Sequence, residues 1–313
     1  MKKLRLPLTA ALALVLAVSV GMLVRQNIQY REGERDYAEA EALVELPDLS
    51  QLEPAEVQEP AEPAEDEEDA AAERPVYVDP YADALRNMNF SALREVNSDV
   101  LGWILIPGTA ISYPVVQGTD NEYYLSHTWK KWTSVVGSIF LECRNSRDLS
   151  DFNTIIYGHR MNNGSMFASL KNYKSQSYWA AHPAVYLTDD AGSHKYEIFA
   201  AYEVSTEGET YRLGFGSDQK KQDFIDHCLD QSVIDTGVVP RTYDRILTLS
   251  TCTGQGHATR WVVQAVLWGE APQEPETPSE ELPPEGAEVE EEAPSALDIA
   301  LGRVTREAEA PAS

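Results

Sequence analysis

A cysteine and an arginine stand at the ends of two predicted strands, and together these side-chain types support nucleophilic catalysis. Residues 245–252 and 260–267 are rich in branched apolar residues, and residues 253–259 between them have the composition of a turn. An antiparallel pairing of these strands brings Cys252 close to Arg260. Because a nearby cation favours the thiolate and stabilises an oxyanion, Cys252 is a candidate nucleophile.

Another strand end adds a histidine to this pair. Residues 153–159 form an apolar run that ends at His159 and enters a polar loop. The two strand ends would present His159 and Cys252 to one site, with Arg260 as its third member. Two alternatives stay open. His257, in the predicted turn before Arg260, competes as the catalytic base. Arg260 is alternatively a plain surface residue in an exposed ion pair.

The cysteine count limits other interpretations. Cys143, Cys228 and Cys252 are an odd number with no close pair, so neither a disulfide framework nor a zinc site is predicted. Cys228 lies on the apolar face of a helix predicted over residues 217–232, and Cys143 ends an apolar run, so both are predicted to be core residues. A buried thiol is common in protein cores, and the same structural alternative applies to Cys252 taken alone.

Several separate sequence blocks occur in an order typical of one enzyme family. The main blocks are residues 248–252, with an arginine eight residues further on, and Tyr157-Gly158-His159. The other blocks lie at residues 102–104, 113–117, 120–125 and 163–167. Across residues 80–268 the sequence therefore resembles the sortases, and specifically the class B sortases, which are cysteine transpeptidases of Gram-positive bacteria.

The resemblance implies a transpeptidation that needs no metal and no organic cofactor. Cys252 would attack the carbonyl of a threonine in the sorting motif of a secreted protein, which gives a thioester. His159 would protonate the leaving amine and then accept a proton from the acceptor amine of a peptidoglycan precursor or a pilin. Arg260 would donate to the carbonyl oxygen. Both the neutral and the ionic form of the Cys252–His159 pair stay open.

The resemblance also implies a set of substrate-binding residues. Asn121 and Leu125 match the segment that lines the sorting-motif groove in the family, and Ser250 lies beside the nucleophile. Tyr211 falls in the loop before the long helix, which contributes to substrate binding in class B enzymes. The structural alternatives are a turn residue for Asn121, a core leucine for Leu125 and a strand serine for Ser250. Position 253 is threonine, so no acid directly follows the nucleophile, and substrate contacts there are expected to differ from those of some relatives.

Two other functions fit the same residues less well. Another exported cysteine peptidase or an L,D-transpeptidase also needs a cysteine and a histidine, but the block that ends at His159 argues against both. An inactive sortase-like scaffold is the non-enzymatic alternative. The presence of all three candidate catalytic residues argues against that alternative.

The N-terminus predicts a membrane anchor. Residues 1–5 are basic and are predicted to be a cytoplasmic end, whereas residues 6–24 carry no charge. Nineteen helical residues span roughly the ~30 Å of a hydrocarbon core. The basic end favours an orientation with the catalytic domain outside the cell. A cleaved signal peptide, with small residues at 17–19 as its cleavage site, is the alternative.

Two acidic flanks account for most of the net charge of −26. Residues 30–76 hold 17 acidic against 3 basic residues, and residues 270–313 hold 13 against 2. Residues 25–78 are therefore predicted to be an acidic Pro/Ala-rich linker, with a weak helical pattern at its start, and residues 270–313 a disordered tail. The acidity argues against nucleic-acid binding. We expect the domain at residues 79–269 to stay soluble and active without these flanks, since their composition gives them no core to share.

The remaining pattern predicts a mainly β domain of about eight strands. Short turns favour antiparallel neighbours, and closure into a barrel hides the edges of such a sheet. Asp79-Pro80 is predicted to start a short N-terminal helix. The resemblance implies an eight-stranded sortase β-barrel with N-terminal helices and one long helix, residues 217–232, before the penultimate strand.

Overall fold

The computed structural model describes most of the predicted domain and the N-terminal helix. The described residues are 2–47, 49, 52, 79–252 and 259–269, with the backbone alone for residues 2–11 and Cys252. The predicted tail, residues 53–78 of the predicted linker and the turn that contains His257 lie outside them.

Eight strands close into a barrel, as predicted. Their order around the barrel is β1-β2-β3-β4-β7-β8-β6-β5. The strands are β1 (Val100–Leu105), β2 (Ser112–Val116), β3 (Ile139–Leu141), β4 (Asn153–His159), β5 (Ala184–Asp189), β6 (Gly192–Ser205), β7 (Ile246–Cys252) and β8 (Thr259–Leu267).

Two strand pairs differ from the antiparallel arrangement that we expected. β2 pairs with β3 in parallel, and so does β4 with β7. Parallel pairing requires a long crossover connection, and both connections are long, because residues 117–138 separate the first pair and residues 160–245 the second. The predicted antiparallel pairing of β7 with β8 is confirmed.

Side chains from both faces of the sheet form the core. All six positions of β1 are buried, and the large buried side chains include Trp103, Phe140 and Tyr196. The short helices α2 (Pro80–Leu85) and α3 (Ser91–Val96) precede β1. The carboxylate of Asp79 caps α2 by accepting from the backbone N–H groups of Tyr81 and Ala82, both at 3.0 Å. The predicted helix start is therefore confirmed.

The predicted long helix is present directly before β7. A short α4 (Gln176–Ala181) precedes β5, and α5 (Asp218–Gln231) follows β6 with Ser217 as its N-cap. Cys228 is fully buried on the inner face of α5, which confirms its prediction as a core residue. The 3₁₀ helices are Tyr123–Leu125, Phe167–Lys174 and Glu209–Tyr211.

The N-terminal helix α1 (Lys2–Leu43) has two distinct halves. Among the described residues it is the one helix long and apolar enough to cross a membrane, and its large apolar side chains from Leu12 to Ile28 are exposed. In the second half, by contrast, Tyr37 and Ala40 are buried in the core of the domain. The expectation that residues 1–78 share no core with the domain is therefore wrong for this half of α1.

Candidate active site

The C-terminal ends of β4 and β7 bring two predicted catalytic residues side by side. In the parallel register of these strands, the Cα atom of His159 is the partner of the Cα atom of Cys252. Neighbouring strands lie about 4.8 Å apart. His159 and Cys252 are therefore direct neighbours at one end of the barrel, although they are far apart in the sequence.

Strand β8 places the third predicted residue on the other side of β7. The antiparallel register of these two strands pairs Ser250 with Val262. This is the last pair of the two strands, and the same register continued by two residues would bring Cys252 opposite Arg260. Arg260 as a whole residue is partly buried, and its guanidinium donates to the backbone carbonyl of Thr259 at 3.3 Å. Three adjacent strands thus hold His159, Cys252 and Arg260 in a row, in the order β4-β7-β8.

The imidazole of His159 is fixed by a backbone carbonyl and by a glycine. Its Nε2 atom lies 2.6 Å from the carbonyl oxygen of Leu125. Because a carbonyl oxygen only accepts, Nε2 must carry a proton, so any proton exchange by the neutral ring would use Nδ1. Gly137 has a φ of +63°, and a Cβ atom there would lie 2.8 Å from the His159 ring. This position therefore requires glycine.

The two other cysteines are poor nucleophiles. Burial raises the pKa of the Cys228 thiol to about 11. The pKa of Cys143 is also raised, first by burial and then by the adjacent carboxylate of Glu142. Since the thiolate is the reactive form, neither thiol is activated near neutral pH. This leaves Cys252 as the cysteine whose neighbours on both sides are suited to catalysis.

Tyr211 and Ser250, two of the predicted substrate-binding residues, are in direct contact. The Tyr211 hydroxyl and the Ser250 hydroxyl lie 2.9 Å apart. Ser250 is fully buried two residues before Cys252, so its hydroxyl serves to hold Tyr211 in place. The Tyr211 ring stacks on Tyr157, with ring centroids 6.4 Å apart. Tyr211 therefore contacts β7 and β4 two residues before Cys252 and His159.

Asn121 belongs to a hydrogen-bonded network around a buried carboxylate. Its Nδ2 atom donates to Oε2 of Glu142 at 2.7 Å, and its Oδ1 atom accepts from the backbone N–H of Cys143 at 2.8 Å. The Tyr157 hydroxyl donates to the same Oε2 atom at 3.0 Å, and Arg144 Nε donates to Oε1 at 2.7 Å. Glu142 thus connects Asn121 to Tyr157 and, through ring stacking, to Tyr211.

The structure therefore places all four predicted substrate-binding residues around the same strand ends. Leu125 is half-buried and reaches the site through its carbonyl bond to His159, while the other three surround Tyr157. As for a metal site, the described residues contain no group of three or more His, Cys, Asp or Glu side chains arranged as ligands.

Sequence reasoning missed Glu142 and Gly137 and left Tyr157 without a role. Tyr157 belongs to the block that ends at His159, and its position two residues earlier on the same strand was an available signal. Glu142 directly follows the apolar residues of β3, and an acid that continues a buried strand is a weak signal of a paired carboxylate. Nothing in the sequence predicted the contact of Gly137 with His159.

Glu142 makes the stability of this site depend on pH. Burial alone would raise the pKa of its carboxyl, but hydrogen bonds from Arg144, Asn121 and Tyr157 outweigh burial and lower it. A pKa lowered in the folded state gives a stabilisation that is full above the ordinary value of 4.5 and is lost as the pH falls through the folded-state value.

We expect Glu142→Gln to lower the free energy of unfolding by about 2 kcal/mol near neutral pH, because hydrogen bonds to a charged acceptor are replaced by weaker ones. The difference from the unsubstituted protein should be smaller in a second measurement well below pH 4.5, because the lowered pKa of Glu142 is then approached. Chemical denaturation at both pH values measures it, with the exposed Glu122→Gln as the matched control. A difference that stays constant with pH would show that Glu142 is not ionised in the folded protein.

Residues 104–268 match the Sortase domain family. The chain therefore belongs to the sortase family, a family of cysteine transpeptidases. Its similarity is to sortase B in particular: it is 40% identical over 160 residues to "Sortase B" of Listeria monocytogenes. That alignment covers 51% of this chain and 65% of the Listeria protein.

Solved structures support the same assignment. The chain is similar to sortase B from Bacillus anthracis in complex with AAEK2, with a TM-score of 0.60 and 30% identity over 77% of this chain and 98% of that one. It is also similar to the Staphylococcus aureus sortase B–substrate complex, with a TM-score of 0.56 and 35% identity over 58% of this chain and 85% of that one. The prediction of a class B sortase is confirmed, as is its barrel.

Proposed function

We propose that this protein is a membrane-anchored transpeptidase that cleaves a sorting motif after threonine and transfers the acyl group to an amine. The observation that carries the proposal is the strand register that makes His159 and Cys252 direct neighbours, with Arg260 next in line on β8. A thiol nucleophile, an imidazole and a fixed cation are the groups that acyl transfer through a thioester requires.

The chemistry divides into two half-reactions. In the first, Sγ of Cys252 bonds to the threonine carbonyl carbon, and the carbon–nitrogen bond breaks as His159 passes the proton that left the Cys252 thiol to the leaving amine. In the second, an acceptor amine attacks the thioester, gives a proton back to His159 and releases Cys252. Arg260 stabilises the oxyanion that forms in each half-reaction.

The substrate groove runs along the residues that surround Tyr157. Tyr211, Tyr157 and Asn121 present two aromatic rings and an amide, and the hydrogen bonds of Ser250 and Glu142 hold them in place. An extended peptide lying on these rings would reach Cys252 with its scissile carbonyl. The similar Staphylococcus aureus structure is a substrate complex, which supports a peptide substrate for this chain as well.

The first half of α1 supports a location at the cell membrane. Its exposed apolar surface from Leu12 to Ile28 suits lipid rather than water, and the basic residues at the N-terminus favour an extracellular domain. The substrates would then be secreted proteins, and the acceptor amine would belong to a peptidoglycan precursor or a pilin.

The test is a peptide-library assay read by mass spectrometry. The full chain in detergent is incubated with peptides that vary around a threonine and with a small amine acceptor. We expect products in which the peptide is cut after threonine and joined to the acceptor. Hydrolysis that ignores the acceptor would identify another cysteine peptidase, and the absence of cleavage across the library would identify a scaffold.

Arg260→Ala is expected to lower kcat by about 10²-fold, because an oxyanion donor acts mainly in the transition state. Steady-state kinetics on the best library peptide measure it. Arg241→Ala removes an exposed arginine that pairs with Tyr243 and should leave kcat and KM unchanged. A change confined to KM in Arg260→Ala would assign Arg260 to substrate binding instead.

A further inference from the structure

The second half of α1 packs against the loop that supports His159. We call residues 126–138, between the 3₁₀ helix Tyr123–Leu125 and β3, the support loop. The Trp129 indole in this loop donates to the backbone carbonyl of Asp36 at 2.9 Å. The Tyr37 hydroxyl donates to the backbone carbonyl of Gly137 at 2.5 Å. The helix therefore contacts the support loop near both of its ends.

Buried charges fix the position of α1 on the support loop. Lys130 is 8% exposed, and its Nζ atom lies 2.5 Å from the Glu39 carboxylate and 3.7 Å from that of Asp36. Asp36 and Tyr37 are each 5% exposed. The Glu39 carboxylate is about half exposed, but Lys130 and Asp36 are both buried. Because a buried charge is costly to leave unpaired, these contacts favour one register of the helix against the loop.

The opposite side of Gly137 faces the catalytic histidine. The space where a Gly137 side chain would begin is closed by the His159 ring and by the carbonyl oxygens of Tyr124 and Leu125, each at 2.8 Å. The next residue, Ser138, donates its backbone N–H to the Tyr124 carbonyl at 2.9 Å. One glycine of the support loop is thus enclosed between the Tyr37 hydroxyl and the His159 imidazole.

We propose that Tyr37 is a positioning residue for His159, acting through the backbone of Gly137. Tyr37 holds the Gly137 carbonyl, Gly137 limits the position of the imidazole, and the Leu125 carbonyl fixes the orientation of the ring. A shift of this backbone by a fraction of an ångström would displace Nδ1 from the reacting amine, and proton transfer is sensitive to such displacement. The kinetic part of this inference rests on the proposed function.

The same contact makes the membrane anchor part of the catalytic apparatus. Tyr37 lies on the helix whose first half has the exposed apolar surface. The second half of α1 would therefore have two roles. It would connect the domain to the anchor, and it would hold the Gly137 backbone that positions His159.

Tyr37→Phe in the full chain in detergent tests the proposal, since it removes the hydroxyl and keeps the buried ring. We expect kcat for the best sorting-motif peptide to fall about tenfold, as for one lost hydrogen bond. KM should stay within about twofold, because the contacts of Tyr37 are with Gly137, Ser138 and Tyr113 and the proposed groove lies around Tyr157. Tyr30→Phe is the matched control, since Tyr30 lies on the same helix and its hydroxyl accepts from Gln26 of that helix at 2.6 Å.

A second readout does not depend on turnover. In protein labelled with ¹⁵N-histidine, the NMR signals of the His159 ring are assigned by comparison with His159→Gln. Their chemical shifts should change in Tyr37→Phe and stay the same in Tyr30→Phe. Thermal unfolding curves of each variant give a temperature at which all of them are folded, and both measurements are made at that temperature.

The possible results separate the two proposals. An unmoved His159 signal in folded Tyr37→Phe overturns the positioning role, as does an equal loss of kcat in Tyr30→Phe. If no peptide is cleaved by the unsubstituted protein while the His159 signal moves as expected, the proposed function fails and the contact through Gly137 stands.

Discussion

Cys252→Ala is expected to abolish cleavage and transfer of a sorting-motif peptide, with turnover reduced by ~10⁴-fold or more. The reason is that the thioester cannot form without the Cys252 thiol, and loss of a covalent nucleophile is among the most damaging changes an enzyme undergoes. Peptide cleavage followed by mass spectrometry measures the loss, and circular dichroism shows whether the barrel is retained.

The chain supplies a matched control for this substitution. Cys228→Ala removes a thiol whose pKa is raised by burial in the core, so it should retain cleavage while unfolding at a somewhat lower temperature. Retained cleavage in Cys252→Ala, or lost cleavage in a folded Cys228→Ala, would contradict the assignment of the nucleophile.

His159→Ala is expected to lower kcat by about 10³-fold, because one imidazole serves as the acid of the first half-reaction and the base of the second. An added acceptor amine should not restore the rate, since both half-reactions lose proton transfer. Stopped-flow release of the leaving peptide measures the first half-reaction directly. His194→Ala is the control, because His194 pairs with Asp189 in the β5–β6 hairpin.

His257 provides the outcome that would reverse this assignment. It lies in the sequence between β7 and β8, outside the described residues. If His257→Ala loses turnover while His159→Ala keeps more than a tenth of it, the catalytic base is His257.

Local patterns predicted much of the fold. Branched apolar runs predicted a domain of about eight strands, and Asp79 marked the start of α2 because a side-chain cap acts within one turn. The parallel pairing of β4 with β7 was not predictable in this way. Strand direction depends on how residues 160–245 cross the barrel, and no local signal encodes that path.

The candidate site shows the same division. His159, Cys252 and Arg260 stand at strand ends, and the resemblance to the sortases grouped them, but the parallel pairing that makes His159 and Cys252 neighbours was not predicted. Glu142 and Gly137 act through contacts between distant segments, and a single sequence does not show which segments meet. The second half of α1 was misjudged for a related reason: Tyr37 and Ala40 are a few buried residues in a strongly acidic segment, and composition averages hide them.

Intact-protein mass spectrometry of the acyl-enzyme tests the central claim most directly. The full chain is mixed with the best library peptide, quenched in acid within one turnover and digested for mapping. The account predicts a mass increase equal to the acyl part of the peptide, removable by hydroxylamine and located on Cys252. An adduct on Cys143 or Cys228, or cleavage with no adduct on Cys252 at any quench time, would contradict it.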